Sequence, residues 1–420
     1  MKAAMSLTAV LTALLLVSTA ASTTTARTTR VSVSSSHAEG DRPSFSAGIS
    51  ANGRYVAFTS QATNLVLGDG NERRDAFVYD RRTGHPVRVS VTTGGAEAQQ
   101  SADPNGGSAA MGMSADGRYI LFRSDAPNLA ASSDETDAFI RDRALKRTRR
   151  IPLLGLQVTE GALSADGRFA VLGAGDKIYR YNLSSHRVVS LTAQANGWST
   201  SPVVSADGRY VAFTSIASNL VRGDTNALPD VFVRDVRTGE TTRVSVTSAG
   251  GQGIGKPFSN GSNAPVISAD GRFVAFHSDM TNLVPGDTNK VFDIFVHSRV
   301  TGKTHRVSVS TAGSQADQES LSGGGFSADD RFLAFTSLAT DLVPADHNGI
   351  TDVFLRDLRA GKTFLASRGM NGQGDDASFI GLGNAFTRDG RSLLFASWAG
   401  NLVPGDTNGV ADVFVRALGQ

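Results

Sequence analysis

Ser205-Ala206-Asp207-Gly208-Arg209-Tyr210-Val211-Ala212-Phe213-Thr214-Ser215 is the stretch that decides how this chain folds. Asp-Gly is a preferred pair for a two-residue hairpin turn, because both positions tolerate positive φ. After it, Val211 and Phe213 alternate with Tyr210 and Ala212, the period of a strand. Before it, Ser201 to Ser205 reads as the other arm. The phrase recurs, with its arginine at Arg54, Arg118, Arg168, Arg209, Arg272, Arg331 and Arg391, at intervals of 41 to 64 residues. Some copies drift: Asn52 replaces Asp in the first, Asp330 replaces Gly in the sixth, and the seventh opens on Thr387-Arg388.

Moving outward, two more strand-like runs follow. Asp230 to Asp235 reads Asp-Val-Phe-Val-Arg-Asp, and Thr241 to Val246 reads Thr-Thr-Arg-Val-Ser-Val. Thr238-Gly239 joins them, as Thr83-Gly84 and Thr301-Gly302 do in other copies. Each repeat is therefore a meander of four strands, a to d, rich in β-branched and aromatic residues. No helical periodicity competes. One such sheet cannot bury both faces alone, whereas radial stacking buries them. The expected fold is all-β: a seven-bladed β-propeller of four-stranded antiparallel blades.

Phenylalanine recurs at fixed places, which predicts the core between blades. Strand b carries Phe58, Phe122, Phe213, Phe276, Phe335 and Phe395, with Leu172 in the third copy. Strand c carries Phe77, Phe139, Phe232, Phe295, Phe354 and Phe414, with Tyr179 in the third. The last repeat stops at strand c, Asp412 to Arg416. Thr28-Thr29-Arg30-Val31-Ser32-Val33 matches strand d of the fourth repeat, so the N-terminal strand is expected to complete the last blade and cover its open edge.

The run at 205–215 resembles the repeat of TolB-like, WD-repeat-like bacterial propellers, and the resemblance covers nearly the whole chain after residue 26. It implies the fold. It does not imply one activity, because the fold hosts many. TolB carries an α/β domain ahead of its propeller, and here strand d is expected to begin almost at a cleavage site, so a TolB-type complex is not carried over.

The N-terminus reads as a signal peptide over residues 1–26, with Lys2, an apolar stretch from Leu7 to Val17, and small residues that place cleavage after Ala20 or Ala21. No later segment is apolar and long enough to span a membrane. The chain is expected to be secreted or to lie in the cell envelope or periplasm. It has no cysteine, which excludes disulfides, thiolate metal sites and a cysteine nucleophile. Lys plus Arg number 41 against 39 Asp plus Glu, scattered along the chain, so no nucleic-acid footprint is expected. A monomer is expected.

In a meander, the a–b and c–d turns share one face and the b–c and d–a connections share the other. The second set is long and polar, which places the expected functional face there, around the channel mouth. The b–c loop repeats Asn-Leu-Val-x-Gly-Asp-x-Asn-x-x-x-Asp. Its polar positions are Asp69, Asn71 and Asp75; Asp224, Asn226 and Asp230; Asp287, Asn289 and Asp293; Asp346, Asn348 and Asp352; Asp406, Asn408 and Asp412. Repeat two keeps Asp134 and Asp137, and repeat three has a short loop ending at Asp176. Oxygen ligands at alternate positions with a later carboxylate partly resemble a calcium loop, without its closing Glu. The competing reading is that these side chains bond backbone amides to shape the loop. The Asp-Gly-Arg aspartate is read as turn-forming, and its arginine as pairing with carboxylates such as Asp235.

Catalytic signatures are missing. Gly197-Trp198-Ser199-Thr200-Ser201 lacks the last glycine of a nucleophile elbow. The histidines (His37, His85, His186, His277, His297, His305, His347) form no zinc motif. The expected function is a non-catalytic binding or scaffold propeller for a protein, peptide or cell-envelope glycan. The alternative is a secreted glycan lyase or hydrolase with non-repeated acids, His and Arg at the channel mouth. Trp198 and Trp398 fall outside the repeat pattern.

Overall fold

The computed structural model describes residues 27–419 apart from 100–102, 104–105, 130–135, 154, 256–258, 370–371 and 382. The signal-peptide reading, residues 1–26, lies outside them. Seven four-stranded sheets follow one another around a ring, and no helix occurs among the described residues.

In blade 4 the strands are a (Ser199–Val204), b (Tyr210–Ser215), c (Asp230–Asp235) and d (Thr241–Arg243). Blades 1, 2, 3, 5 and 6 repeat the a-b-c-d order, with strand b at Tyr55–Ser60, Tyr119–Ser124, Phe169–Ala174, Phe273–Ser278 and Phe332–Ser337. Blade 7 takes strands a to c from Ser378–Phe379, Ser392–Ser397 and Asp412–Ala417. Its fourth strand is Thr28–Arg30, antiparallel to strand c with Thr29 opposite Val415. From blade 1 to blade 6, strand a packs on strand a of the next blade, so these strands surround the centre.

The repeated phenylalanines explain the stacking. Phe213 lies directly opposite Phe232 across strands b and c, with ring centroids 5.9 Å apart. Five other blades repeat the pair, for example Phe122–Phe139 at 5.3 Å. Blade 3 substitutes Leu172 opposite Tyr179. Neighbouring blades share these cores: Val231 and Val233 of blade 4 pack with Phe276 and Phe295 of blade 5.

The Ser-Ala-Asp-Gly-Arg turn is tied down locally. The Ser205 hydroxyl donates to Asp207 Oδ1 at 2.7 Å, and Asp207 Oδ1 also accepts the Arg209 amide at 3.0 Å. Gly208 has φ +75°, and a Cβ there would lie 2.2 Å from the ring of Phe169 in the preceding blade. Glycine is thus required twice, by its dihedral and by that ring. The same turns link blades through the backbone. The Ala51 amide donates to the Ala115 carbonyl at 2.8 Å, Ala115 to Ala165 at 2.8 Å, and Ala206 to Ala269 at 2.9 Å. The Asp166 amide reaches the Ala206 carbonyl and the Arg388 amide reaches Ala51 in the same way. The turn arginine pairs across the hairpin, with Arg209 2.7 Å from Asp235 and Arg54 2.7 Å from Asp80.

Candidate functional site

The b–c loop signature resolves into one device. The Asp opening strand c is fully buried in blades 1, 4, 5 and 6 and nearly so in blade 7. In blade 4, Asp230 Oδ1 accepts the Ser245 hydroxyl at 2.5 Å, and Oδ2 accepts Asn226 Nδ2 at 3.1 Å. The Asn226 Oδ1 then accepts the Leu228 amide, an Asx turn that shapes the loop. Between the two carboxylates stands a guanidinium: Arg243 Nη1 is 3.2 Å from Asp224 and 3.2 Å from Asp230. Arg88 joins Asp69 and Asp75 in blade 1, and Arg306 joins Asp287 and Asp293 in blade 5. In blade 7, Arg30 of the N-terminal strand joins Asp406 and Asp412. In these four blades a guanidinium stands between the two carboxylates that the calcium reading takes as ligands.

Two variations change the charge count. Blades 4 and 5 add a neutral amide to the guanidinium, Gln252 at 2.9 Å and Gln315 at 2.7 Å. Blades 1 and 7 add a third carboxylate instead, Glu97 and Glu39. Asp69, Asp75 and Glu97 are, among the described residues, the one group of three metal-type side chains whose ligand atoms converge. Burial pushes Asp69 up from 3.8 to about 7 against the pull of Arg88, and pushes Asp406 up to about 6. Each therefore binds its proton more tightly in the folded chain. Stability from these groups is fully present below pH 3.8 and is lost as pH rises through about 6 to 7. Glu97→Gln, which copies blades 4 and 5, is expected to narrow the fall in melting temperature between about pH 5 and about pH 8. Calorimetric melts at the two pH values check this, and an unchanged fall would refute it.

The other blades depart further. In blade 2, Asp137 pairs with Arg150 at 2.8 Å, and Asp134 lies outside the described residues. In blade 3, strand c opens on Lys177, whose ammonium meets the exposed Asp176 at 2.9 Å. Blade 6 has Leu365, and blade 3 Ser190, where blades 1, 2, 4, 5 and 7 have arginine.

The first Asn of the signature stitches blades together. Asn64, Asn128, Asn219, Asn282 and Asn401 donate from Nδ2 to carbonyls of the preceding d–a connection, at 2.6–3.0 Å. The long loops thus spend their polar groups on each other.

Non-repeated polar residues within the blades are similarly engaged. Glu160 of blade 3 accepts hydrogen bonds from Thr200 Oγ1 and the Ser201 amide, at the bulge of strand a in blade 4. Gly173 makes room for it, since a Cβ there would lie 2.8 Å from the Glu160 side chain. The His277 ring stands edge-on to Phe292 at 5.1 Å, and burial lowers it to about 4. His297 is lowered to about 4 by burial as well, and bonds Thr304 Oγ1 at 2.9 Å. Trp198 and Trp398 are each 38 % exposed, in blades 4 and 7, and flank strand a and strand b respectively.

A cleft opens on the opposite face from the one the loop lengths favour. It holds about 230 Å³ between the c–d turns of blades 2 and 3, lined by Arg118, Tyr119, Leu145, Arg147, Arg149, Tyr181 and His186 among others. Leu145 is 68 % exposed at the turn tip. Arg147 is exposed, and Arg149 donates to the His186 Nδ1 at 2.7 Å, which also faces the Tyr181 hydroxyl at 2.9 Å. Asp142 is the cleft's one acid and is bound to Arg118 at 2.7 Å, which helps hold its carboxyl below the usual range. The signal was present in the sequence: Arg141-Asp142-Arg143-Ala144-Leu145-Lys146-Arg147-Thr148-Arg149-Arg150 has six cations in ten residues. A whole-chain charge count averaged it away.

No family model and no curated protein matches the sequence. Among solved structures, the chain is similar to an oligogalacturonate lyase from Vibrio parahaemolyticus, at 12 % identity, 94 % of each chain covered and a TM-score of 0.53. It is similar to an oligogalacturonate lyase in complex with manganese, at 12 % identity, 95 % of this chain, 94 % of that one and a TM-score of 0.55. A TolB from Agrobacterium tumefaciens, described as putative, is 15 % identical over 75 % of this chain and 91 % of its own, with a TM-score of 0.44. TolB proteins and oligogalacturonate lyases are thus both among its structural neighbours, and what this chain shares with the two lyases at such identities is its fold, an all-β seven-bladed propeller.

Proposed function

We propose that this chain is a non-catalytic binding propeller, working outside the cytoplasm, that takes an acidic segment of a protein or peptide in the cleft between blades 2 and 3. The observation that carries the reading is the pairing of Arg147 and Arg149 with the exposed Leu145 at one opening. Guanidinium groups bind carboxylates through charge-assisted, often bidentate hydrogen bonds. An exposed leucine beside them favours a ligand with apolar as well as acidic groups. The hydrogen-bonded Glu160 and the buried neutral His277 support binding over catalysis. The signal-like pattern of residues 1–26 supports export.

The test is fluorescence anisotropy with a labelled glutamate- and leucine-containing peptide, on the chain from residue 27 onward. Binding is expected to weaken with salt. The double variant Arg147→Glu/Arg149→Glu is expected to bind about tenfold or more weakly with an unchanged melting temperature. Equal binding by the variant overturns the reading. Binding of a labelled oligogalacturonate, with no binding of the peptide, would make the ligand an acidic glycan instead.

A further inference from the structure

The geometry points to a bound calcium ion in the b–c loop of blade 6, at Asp346 and Asp352, where the cation built into the sister blades is missing. The argument is a comparison within one molecule. In blades 1, 4, 5 and 7 the arginine of strand d bridges the two loop aspartates at 2.9–3.3 Å. The same guanidinium reaches the carbonyl just before the first aspartate, at Gly68, Gly223, Gly286 or Gly405. In blade 6 strand d is Lys362–Leu365, and Leu365 lies opposite Phe354 as Arg243 lies opposite Phe232. The loop keeps both acids and loses the charge between them.

The two acids remain deeply placed. Asp346 is 2 % exposed and Asp352 is fully buried. Among the described residues no ion pair reaches either one. Asp352 Oδ1 accepts the Ser367 hydroxyl at 2.5 Å, as in the sister blades. Gln373 Nε2 bridges the pair, at 2.6 Å from Asp346 Oδ1 and 2.9 Å from Asp352 Oδ2. Asp346 Oδ2 is buried with no hydrogen-bond partner. A neutral amide leaves two buried negative charges uncompensated, and a buried carboxylate without a partner is costly. His347 is the nearest ionisable neighbour on the loop, and its backbone amide is used by Gln373 Oε1 at 3.0 Å.

The available donors are all oxygens: both carboxylates, the Gln373 amide oxygen after rotation of its side chain, and the carbonyl of Ala345 in the place of the sister glycines. Such a set suits a hard cation that accepts irregular, partly hydrated coordination, which is calcium rather than zinc or copper. Two carboxylates give a weak site, in the range of extracellular calcium modules.

The experiment uses the chain from residue 27 onward and calcium itself. Millimolar calcium is expected to raise the melting temperature by about 2 °C or more relative to chelator, with one ion per chain by titration calorimetry. Leu365→Arg restores the sister arrangement, so it should melt higher than wild type in chelator and gain nothing from calcium. Asp346→Asn should also lose the calcium response, and it keeps the test open should the arginine fail to fold. No calcium response in wild type overturns the proposal. A response that survives in both variants overturns it too, since the ion then binds elsewhere, with Asp69, Asp75 and Glu97 the first place to look.

Discussion

Asp230→Ala is expected to cost about 3–5 kcal/mol and to lower the melting temperature by roughly 4–6 °C. The side chain holds three partners at once: Ser245, Asn226 and Arg243. Ser245 in turn accepts the Val231 amide at 3.0 Å, so the residue also secures the start of strand c. Removing it leaves the Arg243 guanidinium, only 8 % exposed, with Asp224 as its one remaining carboxylate. Breaking a buried network at one member costs far more than that member's pair contributes, because the remaining buried charge and polar groups lose their partner. Arg209→Ala is the control. Its pair with Asp235 has the same form, yet the Arg209 side chain is 35 % exposed and water screens the pair, so its loss is expected to leave the melting temperature nearly unchanged. Thermal melts of the two variants should therefore differ clearly. Equal melting temperatures would show that the buried networks are not what stabilises the blades.

Removal of residues 27–33 is expected to have the largest effect of all, lowering the melting temperature by about 10 °C or more or leaving the chain aggregated. Val31 and Val33 are 1 % and 5 % exposed and pack with Leu394, Val413 and Val415. Full burial of two valines contributes roughly 3–6 kcal/mol. Arg30 goes with them, leaving Asp406 and Asp412 in a buried site without their cation. The Val31 amide no longer reaches the Val413 carbonyl, and the edge of strand c lies open to another chain. Melting and light scattering of the truncated chain measure both consequences. A soluble, unshifted protein would mean that blade 7 is stable with three strands.

The architecture was legible because it depends on local patterns that repeat. Asp-Gly turns, alternating strands and phenylalanine at two fixed positions each carry their meaning within a dozen residues. The loops were only half legible. Their acids stood out, and oxygen donors at alternate positions read equally as metal ligands or as loop-shaping groups. Choosing between those readings needs Arg243, which lies on another strand and reaches Asp230 only through the c–d register. Within Thr-Thr-Arg-Val-Ser-Val that arginine looks like an ordinary exposed strand residue. The cleft was missed for a different reason. It arises between two blades, where the c–d turn of blade 3 meets the basic run of blade 2, and no single repeat contains it.

The amide-to-carbonyl links from Ala51 to Ala115, Ala115 to Ala165 and Ala206 to Ala269 use no side-chain atom. The hub of the wheel is therefore indifferent to most of the letters written there. One blade can drift, as the third did with its shortened loop, and keep its backbone links to both neighbours. A ring joined in this way lets individual sectors diverge toward new ligands while the scaffold stays intact.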